Sequence, residues 1–312
     1  MNVRKTTGYY IVDPEPRQKR ASDALTAEAE KRERPIRAML ALAAFISVAA
    51  IVLITIMVFR EAWPAIKSQG LLNMITGSSW KPTAAKPRFG LLPMIAGSSA
   101  VTLLALAIGV PIGLASAVFS AELAPKWAQS AMKRSVGVLA GIPSVVYGFF
   151  GLMVVVPAVR LLGGTGMSVL SASLVLSVMI LPTIIGVSEA AIKAVPDDYR
   201  QASLALGATK WQTIKNVIVP AAKSGIVAAV VLGVGRAIGE TMAVILVAGN
   251  IPVMPSGLLS AVRTLTVNIA LEMGYVRPGT LHYSALFTAA AVLFAFIMAV
   301  NLMVRAITRK AR

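Results

Sequence analysis

Six apolar segments, each long enough to cross a lipid bilayer as a helix, constrain this chain more than any other feature of its sequence. All six are rich in Ala, Val, Leu and Ile, and none shows the alternating pattern of a barrel strand. The predicted bounds are Ala38–Phe59, Pro93–Phe119, Met132–Pro157, Leu170–Ile192, Ala221–Ala248 and Leu281–Ile307. A composition of 57% hydrophobic and 14% charged residues is not that of a soluble domain. We therefore predict an all-α polytopic membrane protein with six transmembrane helices.

The basic residues indicate the orientation of these helices. Residues 1–37 are predicted to form a charged cytosolic tail, and residues 38–312 the transmembrane domain. If the six helices alternate, most of the 30 Lys and Arg residues lie on the side of the tail, including those of the loop 193–220. Since cytosolic loops carry the excess of Lys and Arg, both termini are predicted to be cytosolic.

The net charge of +17 is explained by this topology, so we predict no binding to nucleic acid. The chain has no Cys and a single His, which excludes Cys-based metal sites and a catalytic thiol. His282 is predicted to be an interfacial residue, and no metal site is predicted.

The fifth apolar segment contains only two charged residues, Arg236 and Glu240. A spacing of four places them on one helix face. An Arg at the centre of a bilayer costs about 3 kcal/mol on insertion scales, so it normally faces a partner or a water-filled cavity. Gly235 and Gly239 are predicted to be helix-packing residues, because a G-x-x-x-G pattern lets a second helix approach. Two interpretations remain open: an ion pair that joins helices, or an anion-binding pair in a translocation path.

Three of the segments contain a proline, namely Pro111, Pro143 and Pro182. Proline in a membrane helix frees a backbone carbonyl and usually bends the helix. The neighbours of Pro143 in the third segment are small or mildly polar. Either these residues only pack helices together, or the hydroxyls of Ser144 and Tyr147 line the same cavity as Arg236.

The loop between the fourth and fifth segments predicts two short helices. Pro196, Asp197 and Asp198 are typical of a helix start, Gly207 suits a helix end or tight turn, and Thr209 can begin a second helix. A helix–turn–helix of this size is too short to fold alone. We therefore expect it to dock on a partner.

This loop resembles the cytoplasmic coupling loop of bacterial ABC importer permeases, with the pattern E-A-A, three residues, G, nine residues, I-x-L-P. The corresponding positions are Gln201, Ala202, Ser203, Gly207, and Val217 to Pro220. Gln replaces Glu and Ser replaces Ala in the first three positions, but the spacing is intact. The resemblance implies the type I ABC importer permease fold. It also implies that the loop inserts into an ATP-binding subunit and transmits the closure of that subunit to the membrane helices.

Other segments resemble, more narrowly, the permeases of phosphate-specific ABC importers. These segments are Leu139–Phe149, Gly235–Val244, Trp80–Pro82 and Phe89–Gly90. A second group resembles the PstC-type subunit more than its PstA-type sister, namely Met242–Val244, Ala248–Asn250, Arg263–Leu265 and Glu272–Gly274. The resemblance implies a permease subunit that moves inorganic phosphate across the bacterial cytoplasmic membrane by alternating access.

The same resemblance implies four partners: a PstA-type permease subunit, two ATP-binding subunits and an extracytoplasmic phosphate-binding protein. The chain contains no G-x-x-x-x-G-K-[ST] phosphate cradle. ATP and Mg²⁺ are therefore expected in a partner subunit, with no cofactor and no enzymatic activity in this chain.

The chemistry of phosphate is compatible with Arg236 as a substrate contact. Phosphate carries between one and two negative charges near neutral pH, and a guanidinium matches its oxygens bidentately. Glu240 is then expected to hold Arg236 while the path is empty. Two alternatives remain: a permease for another oxyanion such as sulfate or molybdate, and an ion-gradient-driven carrier. The coupling loop argues against the carrier, which needs no docking site for an ATPase.

Overall fold

A computed structural model describes the backbone of residues 3–6, 9–12 and 16–310, and the side chains of residue 33 and residues 35–302. Helices dominate it, which confirms the predicted all-α class. The helices are α1 Pro16–Gln69, α2 Leu71–Thr76, α3 Leu92–Val118, α4 Lys126–Gly141, α5 Ser144–Phe150, α6 Val156–Arg160, α7 Val169–Lys193, α8 Asp197–Ala205, α9 Lys210–Thr213, α10 Val219–Ala221, α11 Lys223–Gly239, α12 Met242–Val247, α13 Leu265–Met273 and α14 Leu281–Lys310. Three π-helical turns, Phe119–Leu123, Gly151–Val155 and Ile214–Ile218, continue some of them.

Strand structure in the described residues is confined to two hairpins. Strand β1 (Val3–Thr6) pairs antiparallel with β2 (Tyr9–Val12), and β3 (Trp80–Lys81) pairs antiparallel with β4 (Arg88–Phe89). The chain forms two compact units, residues 1–57 and residues 58–312. Helix α1 passes through residue 37 without a break. The predicted domain division at that residue stays a prediction.

All six predicted apolar segments are helical, but two of them are bent. Among the residues that the structure describes, four helices are long and apolar enough to span a membrane: Pro35–Gln69, Leu92–Leu123, Val169–Lys193 and Leu281–Leu302. Two further spans arise only if each bent pair counts as one. These pairs are Lys126–Gly141 with Ser144–Arg160, bent by 96°, and Lys210–Ala221 with Lys223–Gly239, bent by 70°.

Helix α7 lies at the centre of residues 58–312, packed against α3 and α11. Small residues permit the close approach of α3: a Cβ at Gly109 would lie 2.8 Å from Cδ1 of Ile180. The hydroxyl of Ser173 on α7 also donates to the carbonyl of Val101 on α3, at 3.1 Å. Serine and glycine suit helix contacts in a membrane, where close packing and hydrogen bonds replace the hydrophobic driving force.

Of Pro111, Pro143 and Pro182, only Pro143 interrupts its helix. Pro111 and Pro182 lie inside α3 and α7, which continue past them. Ile142 adopts an extended conformation with ψ 127°, and Pro143 follows with ψ 142°. A proline disfavours the helical conformation of the residue before it, and here the chain turns sharply between α4 and α5.

Candidate functional site

The fifth apolar segment is broken at Glu240, where a single helix was predicted. Helix α11 ends at Gly239, Glu240 is extended with ψ 129°, and α12 begins at Met242. The carboxylate of Glu240 accepts a hydrogen bond from the backbone N–H of Ala243 at 2.9 Å. Its carbonyl accepts another from the hydroxyl of Thr266 at 3.0 Å. Glu240 therefore caps the N-terminus of α12 instead of continuing α11.

The predicted ion pair between Arg236 and Glu240 is wrong. A spacing of four residues brings two side chains together only while the helix continues, and α11 ends between them. Arg236 is half-buried, and its Nη1 lies 3.5 Å from the hydroxyl of Thr183 on α7. Among residues 33 and 35–302, no carboxylate forms an ion pair with it. The interpretation of the two residues as an ion pair that joins helices is therefore excluded within this part of the chain.

Gly235 and Gly239 pack against no other helix of the described chain, so their predicted packing role stays a prediction. Both residues are exposed, and a Cβ built on either would meet no atom within 4 Å. Gly186 on α7, close in sequence to Thr183, is equally open. Arg236 therefore lies beside a surface of small residues that the described chain leaves uncovered.

The side chain of Tyr147 forms a hydrogen bond with the backbone at the break before α5. Its hydroxyl donates to the carbonyl of Leu139 at 2.7 Å. In a continuous helix this carbonyl would accept from the residue four positions later, but that residue is Pro143, whose nitrogen carries no hydrogen. The side chain is 7% exposed and belongs to the main apolar core. The hydroxyl of Tyr147 thus donates within the fold, and its predicted role in a cavity shared with Arg236 stays a prediction. Ser144 is half-buried at the start of α5, and its contact with substrate stays a prediction.

The breaks in the third and fifth segments lie next to each other. A Cβ at Gly148 of α5 would lie 2.7 Å from Cα of Ala243 on α12, and a Cβ at Gly151 would lie 2.9 Å from Cγ1 of Val247. The contact residues advance along both helices in the same direction, from Gly148 to Gly151 and from Ala243 to Val247. Helices α5 and α12 are therefore parallel, and their N-termini lie at the same end of the pair. Discontinuous helices paired in this way are typical of transport sites near the middle of a membrane.

The predicted helix–turn–helix is observed in α8 and α9. Gly207 between them has φ +82°, a conformation that favours glycine. Thr209 forms a capping box with Gln212: Thr209 Oγ1 accepts from Gln212 N at 3.3 Å, and Gln212 Oε1 accepts from Thr209 N at 2.8 Å. The hydroxyl of Ser203 on α8 lies 2.9 Å from that of Thr213 on α9. Local signals of caps and turns were sufficient to predict this element.

The helix–turn–helix exposes the residues expected to meet a partner. Gln201, Ala202 and Pro220 are exposed, and the chain bends just after Pro220. Two large apolar side chains beside them are also exposed, Leu206 at 90% and Trp211 at 61%. Exposed apolar side chains grouped in this way are typical of an interaction surface.

A buried polar network, which the sequence did not predict, joins the segments around α13. The carboxylate of Glu272 accepts from Arg263 Nη1 at 2.7 Å and from Trp80 Nε1 at 3.0 Å, and lies 2.7 Å from His282 Nε2. Arg263 Nη1 also donates to Asn268 Oδ1 at 3.0 Å. The predicted interfacial residue His282 is thus part of a network with Glu272, whose side chain is only 6% exposed.

These features define a class of protein: a polytopic membrane permease. It has broken helices beside an Arg that pairs with no carboxylate among the described side chains, and a helix–turn–helix exposed for docking. Residues 109–312 match the model of the family described as the binding-protein-dependent transport system inner membrane component. The chain belongs to this family.

Named relatives agree with this assignment, and a solved structure has a similar fold. The chain is 42% identical over 266 residues to the "Probable ABC transporter permease protein YqgH" of Bacillus subtilis (strain 168), covering 84% of this chain and 86% of that protein. It is 33% identical over 294 residues to the "Phosphate transport system permease protein PstC" of Haemophilus influenzae, covering 88% and 91%. In fold it is similar to a chain of a bacterial alginate ABC transporter, with a TM-score of 0.58, 17% identity and coverage of 90% and 97%.

The likeness in structure confirms the predicted type I ABC importer permease fold. The chain is a multi-pass inner-membrane subunit of an ABC importer, and it works with ATP-binding and substrate-binding proteins. Its relatives are permease subunits, as the sequence predicted.

Proposed function

We propose that this chain is the PstC-type permease subunit of an importer that moves inorganic phosphate into the cell by alternating access. The observation that carries the proposal is the similarity, over most of its length, to permeases named for phosphate transport. The site adds a chemical reason. A half-buried guanidinium without a carboxylate partner in the described side chains is suited to an oxyanion.

In this proposal, Arg236 contacts the phosphate as it passes the broken helices. Two parallel donors of a guanidinium can face two phosphate oxygens, and the residue stays charged at every working pH. Ser144, at the start of the neighbouring helix α5, supplies a further hydroxyl. Glu240 holds α12 in place through its bond to Ala243, so no ion pair with Glu240 has to break before the substrate can bind.

The proposed function also implies the partner subunits of this chain. A PstA-type subunit covers the open surface around Gly235 and Gly239, and it closes the path that this chain lines on one side only. Two ATP-binding subunits bind ATP and Mg²⁺, and one of them receives the helix–turn–helix. An extracytoplasmic phosphate-binding protein delivers the substrate on the opposite face.

The test is uptake of radioactive phosphate into proteoliposomes that contain the chain, its permease partner and the ATP-binding subunits, with the binding protein outside. Uptake is expected only with ATP inside, and unlabelled phosphate should compete while sulfate and molybdate do not. Competition by sulfate or molybdate at equal concentration would instead assign the chain to another oxyanion. Uptake driven by an ion gradient without ATP would contradict the proposal altogether.

The proposed topology has both termini in the cytosol and the segments 60–92, 159–169 and 249–280 outside. Because the chain lacks Cys, single substitutions Lys86→Cys, Thr165→Cys and Lys210→Cys can be labelled without background. All three side chains are exposed, so their labelling reports the side of the membrane rather than burial. An impermeant maleimide should label the first two in intact cells and Lys210→Cys only after lysis. Labelling of Lys210→Cys from outside would contradict the topology.

The proposed coupling role of α8 and α9 predicts a large effect at Gly207. A branched side chain at φ +82° costs about 1–2 kcal/mol or more, so Gly207→Val should distort the turn and lower uptake several-fold. Asn tolerates this conformation, so Gly207→Asn is the matched control and should retain most of the activity. A Cβ at this position meets no atom within 4 Å, so both variants should insert normally. Uptake and co-purification of the ATP-binding subunit measure the effect, and normal values for Gly207→Val would contradict the role.

A further inference from the structure

Arg200 on α8 uses all three guanidinium nitrogens in contacts within the chain. Nε and Nη2 donate to Oε1 of Glu122 at 3.2 and 2.6 Å. Nη1 donates to the carbonyl of Val195 at 2.7 Å and to Oδ1 of Asp197 at 3.0 Å, and Nη2 also donates to the carbonyl of Ile192 at 3.2 Å. The pKa of Arg200 is raised above its ordinary value, chiefly by the hydrogen bond to Glu122.

Apart from Asp197, which is on α8 itself, these partners lie outside α8. Glu122 lies in the π-helical turn that continues α3, Ile192 lies in the last turn of α7, and Val195 lies in the turn 194–196 that follows α7. The last carbonyls of a helix lack partners in that helix and carry a partial negative charge, which a guanidinium satisfies well. Arg200 therefore joins α8 to the ends of α3 and α7 at one point.

The burial of these side chains shows which contact matters most. The side chain of Glu122 is 9% exposed and that of Arg200 is 21% exposed, whereas that of Asp197 is 80% exposed. A two-point contact between charged groups that water hardly reaches is strong, while a solvated ion pair contributes little. The link between Arg200 and Glu122 is thus the substantial one.

Apolar packing does not hold α8 in place. None of its residues is buried, although a buried apolar cluster joins the elements around it, with Ala117, Ile192, Val195, Ile218 and Ala222. The other side-chain hydrogen bond from α8 to a separate element in the described structure joins Ser203 to Thr213 on α9, within the same helix–turn–helix. The attachment of α8 to the membrane helices thus depends mainly on Arg200.

We propose that Arg200 is a positioning residue for transport: with Glu122 it fixes α8 to the ends of α3 and α7. A displacement of α8 by the ATP-binding subunit then moves both membrane helices, instead of bending the short turn 194–196. This inference rests on the proposed function, in which α8 contacts that subunit. Without the link, ATP hydrolysis continues but moves less substrate.

The experiment measures phosphate uptake and ATP hydrolysis on the same proteoliposomes of the complete transporter. Arg200→Gln and Glu122→Gln should each lower the ratio of phosphate transported to ATP hydrolysed by about fivefold or more. Asp197→Asn is the matched control, since it removes the solvated partner of the same Arg, and it should leave the ratio unchanged. A loss of folded transporter lowers both rates together, so the ratio separates positioning from stability. If Arg200→Gln does not assemble, Arg200→Lys and Glu122→Asp carry the same expectation with a smaller decrease, because neither reproduces the two-point contact.

A covalent link between positions 122 and 200 tests whether the attachment of α8 to α3 determines the ratio of phosphate transported to ATP hydrolysed. The double variant Glu122→Cys with Arg200→Cys should have a low ratio, and a short bifunctional maleimide should restore it by joining the two positions. Wild-type ratios in both Arg200→Gln and Glu122→Gln, or an efficient cross-link that leaves the ratio low, would overturn the inference. The Gly207→Val variant distinguishes this failure from that of the proposed function. If Gly207→Val lowers uptake while Arg200→Gln and Glu122→Gln transport normally, only the positioning role of Arg200 is contradicted. If all three of these variants transport normally, the coupling role of α8 is contradicted as well.

Discussion

Replacement of Arg236 by Gln is expected to lower the maximal rate of phosphate uptake roughly 10- to 150-fold, which corresponds to a charge-assisted hydrogen bond of about 1.5–3 kcal/mol. Gln keeps an N–H donor on a shorter side chain and removes the charge that compensates the anion. The half-saturating external concentration should change little, because a separate binding protein captures the substrate. Uptake in proteoliposomes at saturating phosphate measures the effect.

The structure makes this variant easier to interpret than the sequence suggested. If Arg236 and Glu240 were paired, Arg236→Gln would leave an unpaired carboxylate, and the loss of folding could not be told from the loss of transport. Glu240 is instead bound to the N–H of Ala243. Arg236→Gln therefore breaks no ion pair among the side chains that the structure describes, and the variant should insert at a normal level.

Arg160→Gln is the matched control for this variant, since Arg160 is exposed at the end of α6, and it should transport normally. Arg236→Lys should recover part of the rate, because a lysine keeps the charge without the planar fork. Wild-type uptake by a normally inserted Arg236→Gln variant would contradict the substrate role.

Replacement of Arg263 by Leu is expected to destabilise the folded protein by about 3–5 kcal/mol, as for other buried ion pairs that lose one partner. Glu272 is 6% exposed and Arg263 16% exposed, so water cannot compensate the carboxylate. Trp80 and His282 remain beside it, but Arg263 is the partner that is charged at every pH. Thermal unfolding of the purified protein, followed by its loss of monodispersity in detergent, measures the effect.

Two further variants test the physical reason. Arg277 is exposed near the end of α13 and forms no ion pair among the described side chains. Arg277→Leu should therefore change stability by about 0.5 kcal/mol or less. The double variant Arg263→Leu with Glu272→Gln should recover part of the loss, because it leaves no buried charge unpaired while Gln can still accept from Trp80. Equal unfolding temperatures for Arg263→Leu and Arg277→Leu would show that the network does not stabilise the fold.

The elements that could be predicted from the sequence are those whose cause is local. The positions of the six apolar segments follow from the length of helix that a bilayer requires. All six consist mainly of helix in the structure, although the third and fifth are interrupted. The helix–turn–helix follows from residues a few positions apart, since Thr209 caps its own helix and Gly207 adopts the positive φ of the turn. The break at Glu240 also had a local signal, because a Gly followed by Glu and Thr can end one helix and begin another.

What only the tertiary structure decided is which charged groups meet. The carboxylate bound to Arg200 comes from Glu122, 78 residues earlier in the chain. The buried carboxylate of Glu272 likewise accepts a hydrogen bond from Trp80, which is 192 residues away. The sequence instead favoured the pair of Arg236 and Glu240, because a spacing of four is favourable wherever a helix continues. That condition fails where α12 begins, and the better partner for the carboxylate is the free N–H of the new helix. Helix formation is driven by near neighbours and the surrounding solvent, whereas the pairing of buried charges depends on how distant helices pack.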